Sequence, residues 1–329
     1  MSSASAVDGS PARAAGGSSV RAAGGEPVLR EVADGVFAYV QPDGGWCVNN
    51  AGLVVSGGVS ALVDTTATEA RTRRLREQVL ARGHGAPAML VNTHSHGDHT
   101  FGNYLFPEAT VYAHTEARRE MEQAGLHMTQ LWPEVVWGDI EVALPQVTYQ
   151  DRMTLHVGGL AVELLHPGPA HTVNDTVVWV PERRTLFTGD VVMSGVTPFC
   201  PLGSVSGSLK AIERLRGLEP LVVVTGHGPV AGPEVLDVAE DYLRWVQELA
   251  RQGLAAGLAP KDAAREADLG AFAELLEPAR LIPNLHRAYA EERDAAHGEA
   301  LDVGAMIREM GAVFQEMVAY NGGPLTCHA

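Results

Sequence analysis

The stretch Thr93-His94-Ser95-His96-Gly97-Asp98-His99 places three histidines and an aspartate within six positions. One imidazole is ordinary. Three with a carboxylate among them point to metal ligation, because neutral imidazole nitrogen and carboxylate oxygen both bind zinc at about 2.0–2.2 Å. The preceding Ala88-Met89-Leu90-Val91-Asn92 is a short apolar run that reads as a buried strand. The cluster therefore sits at a strand end, where a turn can aim side chains at one point.

One segment cannot complete a site, and three later segments repeat its setting. His171 follows the strand Leu160–Leu165 and the turn Pro167-Gly168-Pro169. Asp190 follows Thr185-Leu186-Phe187-Thr188-Gly189, and His227 follows the apolar run 221–224 within Thr225-Gly226-His227-Gly228. Any one of these is readable as a hydrogen-bonded loop histidine or a turn aspartate. Together they repeat one device, a strand running into a small-residue turn that presents a metal ligand.

These motifs resemble the metallo-β-lactamase superfamily. The H-x-H-x-D-H pattern is complete at 94–99, the later His, Asp and His motifs are present, and Asp64 in Leu62-Val63-Asp64-Thr65 matches an early structural aspartate. The resemblance covers roughly residues 28–233. It implies an α/β fold, the αββα sandwich, followed here by an all-helical C-terminal extension. Position by position it implies that His94, His96 and His171 hold a first metal, that Asp98, His99 and His227 hold a second, and that Asp190 bridges. A ligand set of imidazole and carboxylate suits two zinc ions, and such sites also accept iron or manganese. Two metals about 3.5–4 Å apart share a hydroxide, lower the pKa of bound water and polarise a carbonyl. Asp98 then has two roles, orienting the nucleophile while holding metal. Asn174, three residues after His171, reads either as a donor to a developing oxyanion or as a turn cap.

At 329 residues the chain is long enough for one large core with an appendage, or for two domains. Residues 1–25 are rich in Ala, Gly and Ser, with Arg13 and Arg21 their only basic side chains. Without the apolar stretch of a signal peptide they read as a disordered tail. The sandwich is expected over 26–233 and the helical segment over 234–329. No run is apolar enough to span a bilayer. The three cysteines, Cys47, Cys200 and Cys327, are too few and too scattered for a disulfide framework, so a cytoplasmic protein is expected. A net charge of −16 works against nucleic-acid binding, which needs clustered Lys and Arg. The one basic run is Arg71, Arg73, Arg74 and Arg76, on a helix predicted at 68–81. It is an ordinary solvated face unless the partner is acidic.

Strands are predicted at 36–40, 51–55, 61–63, 89–91, 110–112, 154–165, 176–180, 185–187 and 221–224. Helices are predicted at 68–81, 115–123 and 208–217, then at 235–252, 260–267, 285–293 and 303–320. Two facing sheets with helices outside gather the strand-end loops at one edge. The C-terminal helices are expected to cover the site, to form a homodimer contact, or both.

Substrate contacts are expected from the loop carrying Trp46 and Asn49, from Phe101 after the ligand cluster, and from Met193 and Phe199 after Asp190. A closer resemblance rests on Gly44-Gly45-Trp46-Cys47-Val48-Asn49-Asn50-Ala51-Gly52, Leu131-Trp132-Pro133 with Trp137-Gly138, Val191 to Phe199, and Ala319-Tyr320-Asn321-Gly322-Gly323. These segments resemble the metallo-β-lactamase-type second-ring cyclases and thioesterases of bacterial aromatic polyketide biosynthesis. That resemblance implies a polyketide thioester carried on an acyl carrier protein, closed by aldol condensation and dehydration, with thioester hydrolysis in some members. Both the chain and carrier proteins are acidic, so docking calls for a local basic surface at the Arg71–Arg76 helix or at Arg118 and Arg119. A hydrolase of small thioesters or lactones, and an iron-dependent redox member, fit the same ligand set.

Overall fold

The computed structural model describes residues 25–297 and 303–329. The tail expected at 1–25 lies, except for Gly25, outside the described residues.

The first sheet has seven strands in sequence order: β1 (Val28–Ala33), β2 (Val36–Val40), β3 (Ala51–Ser56), β4 (Val59–Val63), β5 (Met89–Val91), β6 (Thr110–His114) and β7 (Val147–Tyr149). The second has five, β8 (Arg152–Val157), β9 (Leu160–Leu165), β10 (Val177–Val180), β11 (Thr185–Gly189) and β12 (Val222–Thr225), in the order β12-β11-β10-β9-β8. Pairing is parallel from β4 to β7 and between β11 and β12, and antiparallel elsewhere. The helices are α1 (Glu69–Leu80), α2 (Gly97–Thr100), α3 (Thr115–Ala124), α4 (Val205–Arg216), α5 (Glu234–Ala256), α6 (Pro260–Glu266), α7 (Leu281–His297) and α8 (Val303–Asn321).

Strand alternation sorts the core into layers. Val36, Ala38, Ala61, Val63, Val178, Val180, Phe187 and Val224 meet between the sheets. Their neighbours Phe37, Tyr39 and Leu62 face the other way, onto Leu75 and Val79 of α1. Val177, Trp179, Leu186 and Val223 pack against α4 and the C-terminal helices. Central strands are thus buried on both faces, which explains why they read as continuous apolar runs rather than alternating ones. The result is a helix–sheet–sheet–helix sandwich with α5 to α8 extending its second helical layer.

The structure adds two strands to those predicted and divides a third. In β1 only Leu29 is buried, so this edge strand carries Arg30 and Glu31 and has no apolar signature. β7 has three residues, too short for periodicity. The single strand read at 154–165 is a hairpin, β8–β9, broken at Gly158, whose φ of +56° is open to glycine.

After α8 the chain returns to the first half of the molecule. Trp132 Nε1 donates to Leu325 O at 2.9 Å, His328 N donates to Trp46 O at 3.3 Å, and the Arg71 guanidinium donates to His328 O. Cys47, Trp132 and Cys327 form a small apolar cluster there. Cys47, Cys200 and Cys327 are all free and buried.

Candidate metal centre

Every ligand candidate sits where a strand ends at one edge of the sandwich. The turn after β5 presents His94 and His96 and runs into α2, which holds Asp98 and His99. His171 lies between β9 and β10, Asp190 follows β11 directly, and His227 follows β12. The two sheets are tied at this edge by Asn50 N donating to Gly226 O at 2.6 Å and Thr176 N donating to Thr93 O at 2.6 Å.

Three ligand groups result: His94, His96 and His171; His94, His99 and Asp190; and Asp98, His99 and His227. Within each, the donor atoms lie inside 4.8 Å of one another. His171 Nε2 is 2.9 Å from His96 Nδ1. The Asp190 carboxylate reaches toward both ends: Oδ1 is 3.1 Å from His99 Nε2, and Oδ2 is 3.5 Å from His171 Nε2 and 3.4 Å from His227 Nε2. Asp98 Oδ2 is 3.4 Å from His227 Nε2.

Hydrogen bonds on the far side of each ring fix which nitrogen faces inward. His99 Nδ1 donates to Asp64 Oδ2 at 2.8 Å. His94 Nδ1 donates to Thr93 Oγ1 at 3.1 Å, and that hydroxyl donates onward to Asp64 Oδ2 at 2.7 Å. His227 Nδ1 donates to Gly44 O at 3.1 Å, and His171 Nδ1 donates to Phe199 O. Four Nε2 lone pairs are therefore turned toward two carboxylates. His94 Nε2, His99 Nε2 and Asp190 Oδ1 are buried without a hydrogen-bond partner. With all four rings neutral these acceptors repel one another unless a cation lies among them, so the donor set fits divalent metal.

The titration directions agree. Burial holds His94 well below its usual range and takes His171 down to about 3, keeping both neutral. Burial also opposes charge on His99 and His227, but carboxylates outweigh it: Asp190, Asp64 and Asp98 push His99 well up, and Asp190 and Asp98 push His227 to about 9. Burial would raise Asp98, yet the neighbouring His99 and His227 bring it to about 2. In the metal-free chain, protons occupy part of the cation's place.

The expected substrate residues divide. Trp46, Met193 and Phe199 converge on Arg280, which the sequence reading missed. Its guanidinium carbon lies 4.1 Å from the Trp46 ring and 5.6 Å from the Phe199 ring, and Nη1 lies 2.8 Å from Met193 Sδ and 3.2 Å from Thr197 O. Arg280 is only 1% exposed. Nothing in the sequence of a helical segment separates such an arginine from a surface one. The Phe199 ring also lies 5.8 Å from the His171 ring, and Trp46 continues the wall to Trp132 at 5.7 Å. Trp46 Nε1 and Arg280 Nε are buried donors without a partner. Phe101 packs on Trp137 and under Gly97, where a Cβ would meet its ring at 2.3 Å.

Two polar expectations do not match the geometry. Asn174 is fully buried, and its amide is spent: Nδ2 donates to Glu120 Oε2 at 2.7 Å and Oδ1 accepts from Ser95 N at 3.1 Å. It braces the ligand loops and is not turned toward a substrate carbonyl. Asn49 is also fully buried, donating to Thr65 O at 2.8 Å and Asn50 O at 3.0 Å, so it shapes the loop instead of lining a pocket. The arginines expected to offer a basic surface are engaged within the chain. Arg73 pairs with Glu69, Arg74 with Glu26, Arg76 with Glu108 and Arg119 with Glu116, while Arg118 donates to Pro145 O.

A two-sheet sandwich with His and Asp candidates gathered at its strand ends defines a class, that of α/β sandwiches with a candidate metal centre. The chain belongs to the metallo-beta-lactamase superfamily, whose family model matches residues 44–227. It is 23% identical over 222 residues to the metallo-beta-lactamase type 2 of Bacteroides fragilis, covering 64% of this chain and 82% of that one. It is 28% identical over 193 residues to the acyl-coenzyme A thioesterase MBLAC2 of Bos taurus, covering 53% of this chain and 66% of the relative. Among solved structures, the metallo-beta-lactamase from Pontibacter korlensis matches with a TM-score of 0.56 at 19% identity, over 67% of this chain and 99% of that one. That likeness is one of fold.

Proposed function

We propose that this chain is a metal-dependent cyclase–thioesterase acting on an aromatic polyketide thioester carried by an acyl carrier protein. The observation that carries the reading is the wall beside the ligand cluster. Phe199 lies beside His171 and meets Trp46 edge to face, and the unpartnered donors Trp46 Nε1 and Arg280 Nε suit the carbonyl or enolate oxygens of a poly-β-ketone. A thioesterase among the relatives supports the thioester part.

Two divalent ions held by His94, His96, His171, Asp98, His99, His227 and Asp190 would supply an activated water and Lewis-acid stabilisation of an oxyanion or enolate. The chain's own groups do the rest. Asp98, whose Oδ2 lies 3.4 Å from His227 Nε2, is placed to orient the activated water while holding metal. The aromatic wall holds the substrate rings and keeps water from the reacting carbons. In ring closure, a C–H between two carbonyls gives up its proton, the carbanion forms a C–C bond to a ketone, and water leaves. In release, water adds to the thioester carbonyl, the C–S bond breaks, and the thiol departs with the proton.

The test is intact mass spectrometry of a polyketide-loaded carrier after incubation with the zinc-loaded protein. Loss of one water from the carrier-bound chain reports cyclisation, and loss of the acyl group reports hydrolysis. Asp98→Ala should do neither. An unchanged loaded carrier, with a small thioester or lactone hydrolysed instead, would move the assignment to a generic hydrolase.

A further inference from the structure

The first ligand group is assembled from two loops that belong to different sheets. His94 and His96 come from the turn after β5, and His171 from the loop before β10. Ser95 stands between the first pair, and Asn174 stands three residues beyond His171. Ser95 N donates to Asn174 Oδ1 at 3.1 Å. Ser95 Oγ and Asn174 Nδ2 both donate to the same oxygen, Glu120 Oε2, each at 2.7 Å, and Asn174 Nδ2 also approaches Ser95 Oγ at 3.3 Å. Glu120 comes from a third element, α3.

We propose that Glu120 is a positioning residue that clamps these two loops and thereby sets the affinity of the His94/His96/His171 site for its metal. The proposal rests on the reading of the cluster as a two-metal centre. A carboxylate accepting two bonds at one oxygen makes both of them charge-assisted, and such bonds are about twice as strong as neutral ones. Nitrogen ligands must come within about 2.0–2.1 Å of zinc, so a small splay between the loops that carry His96 and His171 costs affinity at that site first. The second group is braced elsewhere. His99 leans on Asp64, and His227 on Gly44 O. Neither bond involves Glu120, Ser95 or Asn174, which predicts an effect confined to one metal.

Glu120 is half-buried on a surface helix, so its replacement leaves no core cavity. The experiment is a competitive chelator titration of the full chain loaded with cadmium-113, followed by its NMR resonances. These distinguish a site of three histidines sharing Asp190 from one of two histidines with Asp98 and Asp190, because the two differ in the number of nitrogen ligands. Wild type should show two resonances. In Glu120→Ala the three-histidine resonance should be lost at roughly ten- to a hundredfold weaker chelation, with the other unmoved and the metal-free melting temperature nearly unchanged. Glu120→Gln, which keeps an acceptor oxygen, should fall between. An unchanged titration, or equal weakening of both sites, would overturn the clamp. Wild type binding fewer than two ions would instead overturn the two-metal reading beneath it.

Discussion

Asp64 illustrates how one buried side chain sets the state of several others. Held at φ +60°, it accepts from Thr93 N at 2.7 Å, from Thr93 Oγ1 at 2.7 Å and from His99 Nδ1 at 2.8 Å. Through Thr93 it also orients His94. Asp64→Asn puts an N–H where acceptors are needed, and metal affinity should drop roughly ten- to a hundredfold, read as metal retained after dialysis. The histidines also predict a pH dependence for the metal-free protein. His227 titrates near 9 in the fold against about 6.5 unfolded. Its stabilising contribution is therefore complete below about pH 6.5 and lost as pH rises through about 9. His171, lowered to about 3 by burial, acts oppositely and destabilises the fold as pH falls below about 6.5. The urea midpoint of the metal-free chain should decline on the alkaline side, and His227→Gln should flatten that limb. At this scale the ligands were legible because residue type and spacing carry their chemistry. Arg280 and Glu120 were not, since both become part of the site through contacts between distant segments. Asn174 stayed open between an oxyanion donor and a turn cap because the sequence does not reveal where an amide's bonds are spent.

At the scale of elements, the sequence was readable wherever a strand is buried on both faces and wherever a helix is capped. Thr68 caps α1, its side chain accepting from Arg71 N, one residue before the first helical position. The edge strand β1 and the three-residue β7 left no pattern to read. The loops at the ligand edge depend on close backbone approach. A Cβ at Gly226 would lie 2.0 Å from Asp190 Oδ1. Gly226→Ala should therefore displace the Asp190 carboxylate and sharply reduce metal content while secondary structure by circular dichroism persists. The C-terminal strap was outside any periodicity argument, because its contacts are single hydrogen bonds and one apolar cluster. Leu325, 4% exposed, anchors it. Leu325→Ala should cost about 2–5 kcal/mol, measured by chemical denaturation.

Across the whole molecule, the sandwich has one edge where loops from both sheets meet, and all seven ligand candidates are found there. The helices from α5 onward share a core with α4 and the outer face of the second sheet. From there Arg280 reaches the aromatic wall, and the strap crosses to Trp46 and Trp132. None of the described helices is long and apolar enough to cross a membrane. The net charge of −16, with the Arg73, Arg74 and Arg76 side chains already paired to glutamates, means that an acidic carrier would have to exchange those pairs to dock there. Metal at the ligand edge underlies every step of the proposed chemistry. The most direct measurement is elemental analysis of the purified protein after zinc loading and gel filtration, beside Asp190→Ala. Two equivalents in wild type, with a marked loss in the variant, is the predicted result. Less than one equivalent in wild type, or equal metal in both proteins, would contradict it.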